Sequence, residues 1–202
     1  MSIARAHHFI SQCYLRGFTY DGFKKSKLYV VSLRERKAFQ SRPEGVAHRR
    51  DFNRVEGLEI DAVETMLSGF EGIVATALNR IRVDGSLVNA SAWEHVLNLV
   101  ALFAVRHPVQ REKPAKAIDH ASRVMLDMLT ADPERWGTYV AQAKADGRIP
   151  RETDVSYELA RDFVKRGDFT IDVPTGKHIE LELKVHGPVL ETLKQRNWTL
   201  CT

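Results

Sequence analysis

The stretch His7-His8-Phe9-Ile10-Ser11-Gln12-Cys13-Tyr14-Leu15-Arg16-Gly17-Phe18 sets two imidazoles, an amide and a guanidinium among aromatic and aliphatic side chains. Polar groups embedded in apolar sequence must find partners when the chain folds, so such a set is either a structural network or a working site. Imidazole is a metal ligand or an acid/base near neutral pH, and a guanidinium recognises phosphate and carboxylate oxygens. The chemistry these residue types suit is hydrolysis or binding at a phosphate-bearing group.

Neighbouring histidines do not chelate one ion easily. They stand about 100° apart on a helix and on opposite faces of a strand. One imidazole can serve as ligand or acid/base while the other packs as a hydrogen-bonded partner, and two satisfied structural histidines would give the same sequence. Further along, Glu64 and Glu71 lie seven residues apart on a strongly periodic segment. On a helix they stack on one face with Cα atoms roughly 10.5 Å apart, too far to share one metal but suited to two points along a groove. Solvated charge is the other reading of both. Arg106 ends a nearly all-apolar run and, if buried, needs an acceptor: Glu64 or Glu71 in an internal ion pair, or a ligand phosphate.

These residues must be held by other elements. Leu28 to Leu33 reads as a β-strand, and Arg34-Glu35-Arg36-Lys37 turns the chain into a second at Ala38 to Ser41, a small hairpin. Residues 43–57 read as an irregular connection. From Ile60 the apolar positions Val63, Leu67, Phe70, Val74, Ala77 and Ile81 recur every three or four residues, one stripe along a helix of about six turns that Gly85 ends. A capping box, Ser91 with Glu94, opens a second helix. It is apolar nearly all round from Trp93 to Val105, as expected of a central helix, and Pro108 stops it. A third helix from about Pro114 to Leu129 turns Ile118, Ala121, Met125 and Met128 or Leu129 inward. Asp132-Pro133 caps a fourth, with Trp136, Tyr139, Val140 and Ala143 inward and Gly147 closing it. Thr153 or Asp154 begins a fifth, with Leu159, Ala160 and Phe163 inward, ending at Gly167. Residues 178–185 alternate like a strand yet are rich in helix formers, Gly187-Pro188 breaks what precedes it, and a turn of helix near Trp198 leads to a further strand. The expected fold is mainly α, a bundle of about five or six helices with a small N-terminal β-hairpin.

At 202 residues the chain suits one domain, with residues 1–57 carrying the motif and hairpin and residues 58–202 the helices. Thirty Lys and Arg against 26 Asp and Glu give +4, too mild an excess to demand nucleic acid, and basic runs such as Lys24-Lys25-Ser26-Lys27 are ordinarily solvated faces. Cys13 and Cys201 form no CxxC pattern and fit a reducing cytoplasm. The first residues lack an apolar signal core, and no apolar run reaches the ~18 residues of a membrane helix. A Gly-rich phosphate loop, HExxH, GxSxG and a Rossmann fingerprint are all absent, which disfavours the enzyme classes they mark.

The opening stretch resembles the His-His-aromatic-x-Pro-Gln-x-Tyr-Leu-Arg-x-Phe signature of the bacterial and phage domain of unknown function 4238. Leu28-Tyr29-Val30 resembles that family's first strand after the motif, and Arg50-Asp51-Phe52 its Lys/Arg-Asp-Phe segment. Ile60 to Gly72, with Glu64 and Glu71-Gly72, is similar to its paired-Glu helix. Arg106-His107-Pro108 resembles its Arg-Thr-Pro element, and Arg196-Asn197-Trp198 its Arg-x-Trp. Ser11 stands where Pro is usual and His107 where Thr is usual. Family members continue past the Trp into a strand ending Ser-Asp-x-Pro, so the resemblance implies a C-terminal continuation that this chain, ending at Thr202, lacks.

Two functions are expected. In the first, His7, His8, Glu64, Glu71 and Arg106 are catalytic, with Gln12 and Arg16 binding the ligand and the resemblance adding Asp51. This is a metal-assisted, nuclease-like hydrolase acting on nucleic acid or another phosphate-bearing ligand, in which a divalent metal activates water and arginine stabilises developing charge. In the second, the same polar set is structural and the protein is a non-catalytic binding or regulatory module whose basic turns meet an acidic partner.

Overall fold

A computed structural model describes residues 5–201. The first residues, read above for a signal core, and the terminus at Thr202 lie outside them. The fold is mainly α, with seven helices and two small two-stranded antiparallel sheets among the described residues. The chain forms two compact units, Met1–Arg111 with Pro174–Thr202, and Glu112–Val173.

In the first unit, β1 (Ala6–His8) carries the histidines and is followed by α1 (Gln12–Leu15). The predicted hairpin is present as β2 (Leu28–Ser32) and β3 (Lys37–Ser41), with Tyr29 opposite Gln40 and Val30 opposite Phe39. β4 (His48–Arg50) pairs with β1, His7 opposite Arg49 and His8 opposite His48. This second sheet falls in the stretch expected to be irregular. A three-residue strand has too short a pattern to be seen in sequence when its partner lies some forty residues away.

The long stripe forms α2 (Ala62–Asp84), closed by Gly85 in the left-handed conformation at φ 57°. There the Gly85 N–H donates to the Ile81 carbonyl, an ending that suits glycine because it has no Cβ to clash. α3 (Ala90–Arg106) opens two residues before the expected start, because Asn89 is the cap: its side chain accepts from the Ala92 N–H at 3.0 Å. α3 packs between α2 and α7 (Thr175–Lys194). Ala77 and Ile81 of α2 meet Ala92 of α3, with Leu87, Trp93 and Val96 around them, so the nearly all-apolar helix is indeed surrounded.

Residues 178–185 are helix, and α7 runs through Pro188 instead of breaking there. Proline removes one backbone bond, but Pro188 lies on an exposed side and the packing of α7 against α3 carries the helix past it. No strand follows. Trp198 instead folds back, its indole N–H donating to the Leu193 carbonyl at 2.9 Å and its ring meeting Trp93 edge-on at 5.4 Å. Likewise α4 (Pro108–Leu129) starts at Pro108, the residue expected only to stop α3, and contains Pro114.

The second unit holds most of α4 together with α5 (Pro133–Ala145) and α6 (Tyr157–Arg166). Asp132 caps α5 and Gly167 ends α6 as expected, but α6 begins after Ser156, whose side chain accepts from the Leu159 N–H. Trp136 and Ala143 are buried, whereas Ile118, Ala121, Met125, Leu159 and Phe163 are exposed, against the expectation that they turn inward; of Met128 and Leu129, the second is the half-buried one. Three helices within 62 residues bury a small fraction of their surface, so periodic apolar positions exceed the places available to hide them.

Candidate functional site at the N-terminal strand

β1 alternates its side chains, so His7 and His8 face opposite ways, and each meets a different environment. His7 is fully buried and its Nδ1 accepts from the Asn53 backbone N–H at 2.9 Å. An amide N–H only donates, so the ring proton of the neutral imidazole sits on Nε2. That Nε2–H is buried without a hydrogen-bond partner.

Behind His7 lies a charge-paired network. The Asn53 side-chain amide donates to Glu64 Oε1, which also accepts from Arg106 Nη2 at 3.2 Å. Asn53 Oδ1 accepts from Arg111 Nη2 at 3.1 Å. Arg111 grips the Glu182 carboxylate with two nitrogens, donates to the Phe52 carbonyl and lies flat on the Phe52 ring, 3.6 Å from its centroid. Arg106 and Arg111 are both buried, and burial presses the Arg106 guanidinium towards losing its proton while Glu64 opposes this. Thus the acceptor for Arg106 is Glu64, and two arginines meet two glutamates in one bidentate and one single contact. Asn53, Arg106, Glu182 and His186 border a largely apolar cavity of about 50 Å³. That is room for a water or two, far below the ~300 Å³ of a small-molecule pocket.

His8 faces His48, ring centroids 5.4 Å apart, and its Nδ1 stands 3.4 Å from the Gln12 amide nitrogen. Burial, then the neighbouring His48, hold its pKa below the usual histidine value; the Glu64 charge and the carbonyls of Glu44 and Pro43 pull the other way. Because the Gln12 amide nitrogen donates to Nδ1, the ring proton of His8 sits on Nε2, which is buried and makes no hydrogen bond of ordinary geometry, with the Glu44 and Pro43 carbonyls near the ring. Ser11 Oγ, Gln12 Oε1 and Arg16 Nε are buried and unpartnered too. Five of the six such side-chain atoms among the described residues thus fall between His7 and Arg16.

Glu71 makes no ion pair or hydrogen bond among the described residues, and its charge reaches Cys13 and Arg106. Burial and then Glu71 push the Cys13 thiol up, so it stays protonated and is a poor nucleophile. Asp51 stands apart: left-handed at φ 55°, it binds Arg5 through both carboxylate oxygens and has Arg50 beside it. The structure therefore brings His7, Glu64 and Arg106 into one network through Asn53, sets His8, Gln12 and Arg16 along the same short segment, and leaves Asp51 on a surface pair. Asn53, Arg111 and Glu182, which complete the network, were not singled out from sequence. The one available signal was the position of Asn53 directly after Arg50-Asp51-Phe52.

A divalent metal does not fit this donor set. No three His, Cys, Asp or Glu side chains among the described residues come together to hold an ion, and the proton on His7 Nε2 occupies the lone pair a metal would need.

Comparison with curated proteins and with solved structures returns no match. A family model described as "Protein of unknown function (DUF4238)" matches residues 6–202, which span the histidine strand, the network and all seven helices. The chain belongs to this family, as the opening motif suggested.

Proposed function

We propose that the segment His7 to Arg16 binds the phosphate of a nucleic acid or another phosphate-bearing ligand. The observation that carries the reading is the concentration of unpartnered buried polar atoms there. Folded proteins satisfy nearly all such groups, and a run of exceptions marks a place where partners arrive from outside. His8 Nε2–H, the Ser11 hydroxyl and Arg16 Nε–H are donors, the complement of phosphate oxygens, while Gln12 Oε1 is an acceptor and His7 faces the other side of β1. A neutral imidazole at His8 suits the task because it donates without burying another charge.

Titration calorimetry with inorganic phosphate and a nucleoside monophosphate tests this. Each should bind, and Arg16→Ala and His8→Ala should weaken binding about tenfold or more, as loss of a charge-assisted or buried bond implies. Undetectable binding, or binding indifferent to both substitutions, would sink the reading.

Hydrolysis is the second reading, and Glu71 favours it. Glu64 and Glu182 are held by arginines, whereas Glu71, whose charge reaches Cys13 and Arg106, makes no ion pair among the described residues and is left to act as a general base. Phosphodiester cleavage that disappears in Glu71→Gln while phosphate binding persists would establish it; no turnover in the unaltered protein would leave a non-catalytic binding module.

A further inference from the structure

Resting on the reading that the protein takes a phosphate-bearing ligand, we infer that this ligand is single-stranded nucleic acid and that the β2–β3 hairpin, with the loop before it, grips the strand. Residues 20–42 hold seven Lys and Arg against Asp21 and Glu35, a net of +5 in a chain whose total is +4, so everything outside this segment sums to −1. The whole positive excess of the protein is gathered on one small ribbon.

The same ribbon displays aromatic rings to solvent. Tyr20 is 79% exposed, Phe23 70%, Tyr29 63% and Phe39 43%. Tyr20 and Phe23 in the loop before the hairpin and Tyr29 on β2 bury little of their rings and so add little to the fold. Tyr29 stands opposite Gln40, and the Gln40 side-chain amide donates to the Tyr20 hydroxyl at 3.5 Å, which puts both tyrosines on one face. Phe39, one residue along β3 from Gln40, stands on the other face. The chain reverses at Arg36, in the left-handed region at φ 52°, and carries Arg34 beside it.

Rings interleaved with cations are the pattern that holds single strands, bases stacking on the rings while phosphates meet Lys and Arg. A duplex keeps its bases stacked inside and offers the tyrosines nothing. An anionic lipid surface would engage one face of a ribbon, whereas these rings occupy two. An unpaired strand can wrap both.

The test uses the full chain, fluorescence anisotropy and a labelled oligothymidylate of about twenty nucleotides, longer than the ~4–16 nucleotides that one β surface of this kind covers. Binding should exceed that of the matching duplex, and Tyr20→Ala and Tyr29→Ala should each weaken it about tenfold. Lys24→Gln with Lys25→Gln should flatten the slope of log affinity against log salt by about 1.4, two phosphate contacts' worth. All four positions are exposed, and inorganic phosphate binding at His7 to Arg16 should be unchanged in these variants. Equal or tighter duplex binding, indifference to both tyrosine substitutions, or adsorption to phosphatidylserine vesicles with no oligonucleotide binding would each overturn the inference. Failure of phosphate to bind, with ring-dependent oligonucleotide binding intact, would remove the reading at His7 to Arg16 and leave the hairpin inference standing.

Discussion

Two polar regions lie side by side in the first unit and differ in how their demands are met. In the network of Asn53, Glu64, Arg106, Arg111 and Glu182, each arginine has a carboxylate and Asn53 joins the two pairs through both atoms of its amide. Along His7 to Arg16, five polar atoms are buried with no partner. Buried polar groups are tolerated when paired and costly when not, so the first region is a structural anchor and the second is where the proposed ligand would supply the partners. The anchor also fixes the histidine: by presenting the Asn53 N–H to Nδ1 it sets the ring proton of His7 on Nε2.

The largest effect should come from breaking the anchor. Arg111→Ala strands the Glu182 carboxylate in a mostly buried place and should destabilise the protein by about 3–5 kcal/mol in urea denaturation. Replacing both partners, Arg111→Met with Glu182→Leu, should recover most of that. A single substitution costing under about 1 kcal/mol would mean that the pair is not the anchor claimed here. Asn53→Ala comes next. It removes the bond that Asn53 donates to Glu64 and the one it accepts from Arg111, and should cost about 1–3 kcal/mol in the same urea denaturation.

The pH response sharpens the contrast from the other side. His8 has a folded pKa below 6.5, its unfolded value, so the folded state takes up its proton later than the unfolded chain does. Its contribution is constant above that value and is lost as pH falls from 6.5 towards the folded pKa. Thermal midpoints should therefore drop on acidification through this window, and the drop should shrink in His8→Gln. The smallest effect is expected at Ser11→Ala. Removing a buried hydroxyl that has no partner should change stability by no more than about 0.5 kcal/mol in either direction while weakening phosphate binding. A loss well above that would show the hydroxyl to be part of the structural network, and the two regions would then be one.

Much of the helical frame was legible in sequence because its signals are local. The stripe from Val63 to Ile81, the stop at Gly85, the Asp132-Pro133 cap and the end at Gly167 each depend on residues within a few positions of one another. What misled were local signals that tertiary contacts override. Pro188 reads as a break but sits in a helix held by α3, and Leu159 and Met125 read as core but face solvent in a unit too small to bury them. Of the site, the sequence identified His7, His8, Gln12, Arg16, Glu64 and Arg106 as chemically unusual. Asn53, Arg111 and Glu182 were invisible, since an amide in a loop, one arginine among many and a glutamate in an alternating run carry no pattern.

By itself the sequence determined the helical class, several helix ends, the family signature and the gathering of charge on the hairpin, all of which follow from residue type and short-range spacing. Only the tertiary structure decided that the two histidines lie on a strand paired with His48–Arg50 and that Arg106 chooses Glu64. It alone decided that the carboxylate for Arg111 comes from a helix 71 residues away. Partnership between buried polar groups depends on distance in space, and chain separation carries no information about which acceptor a donor will meet.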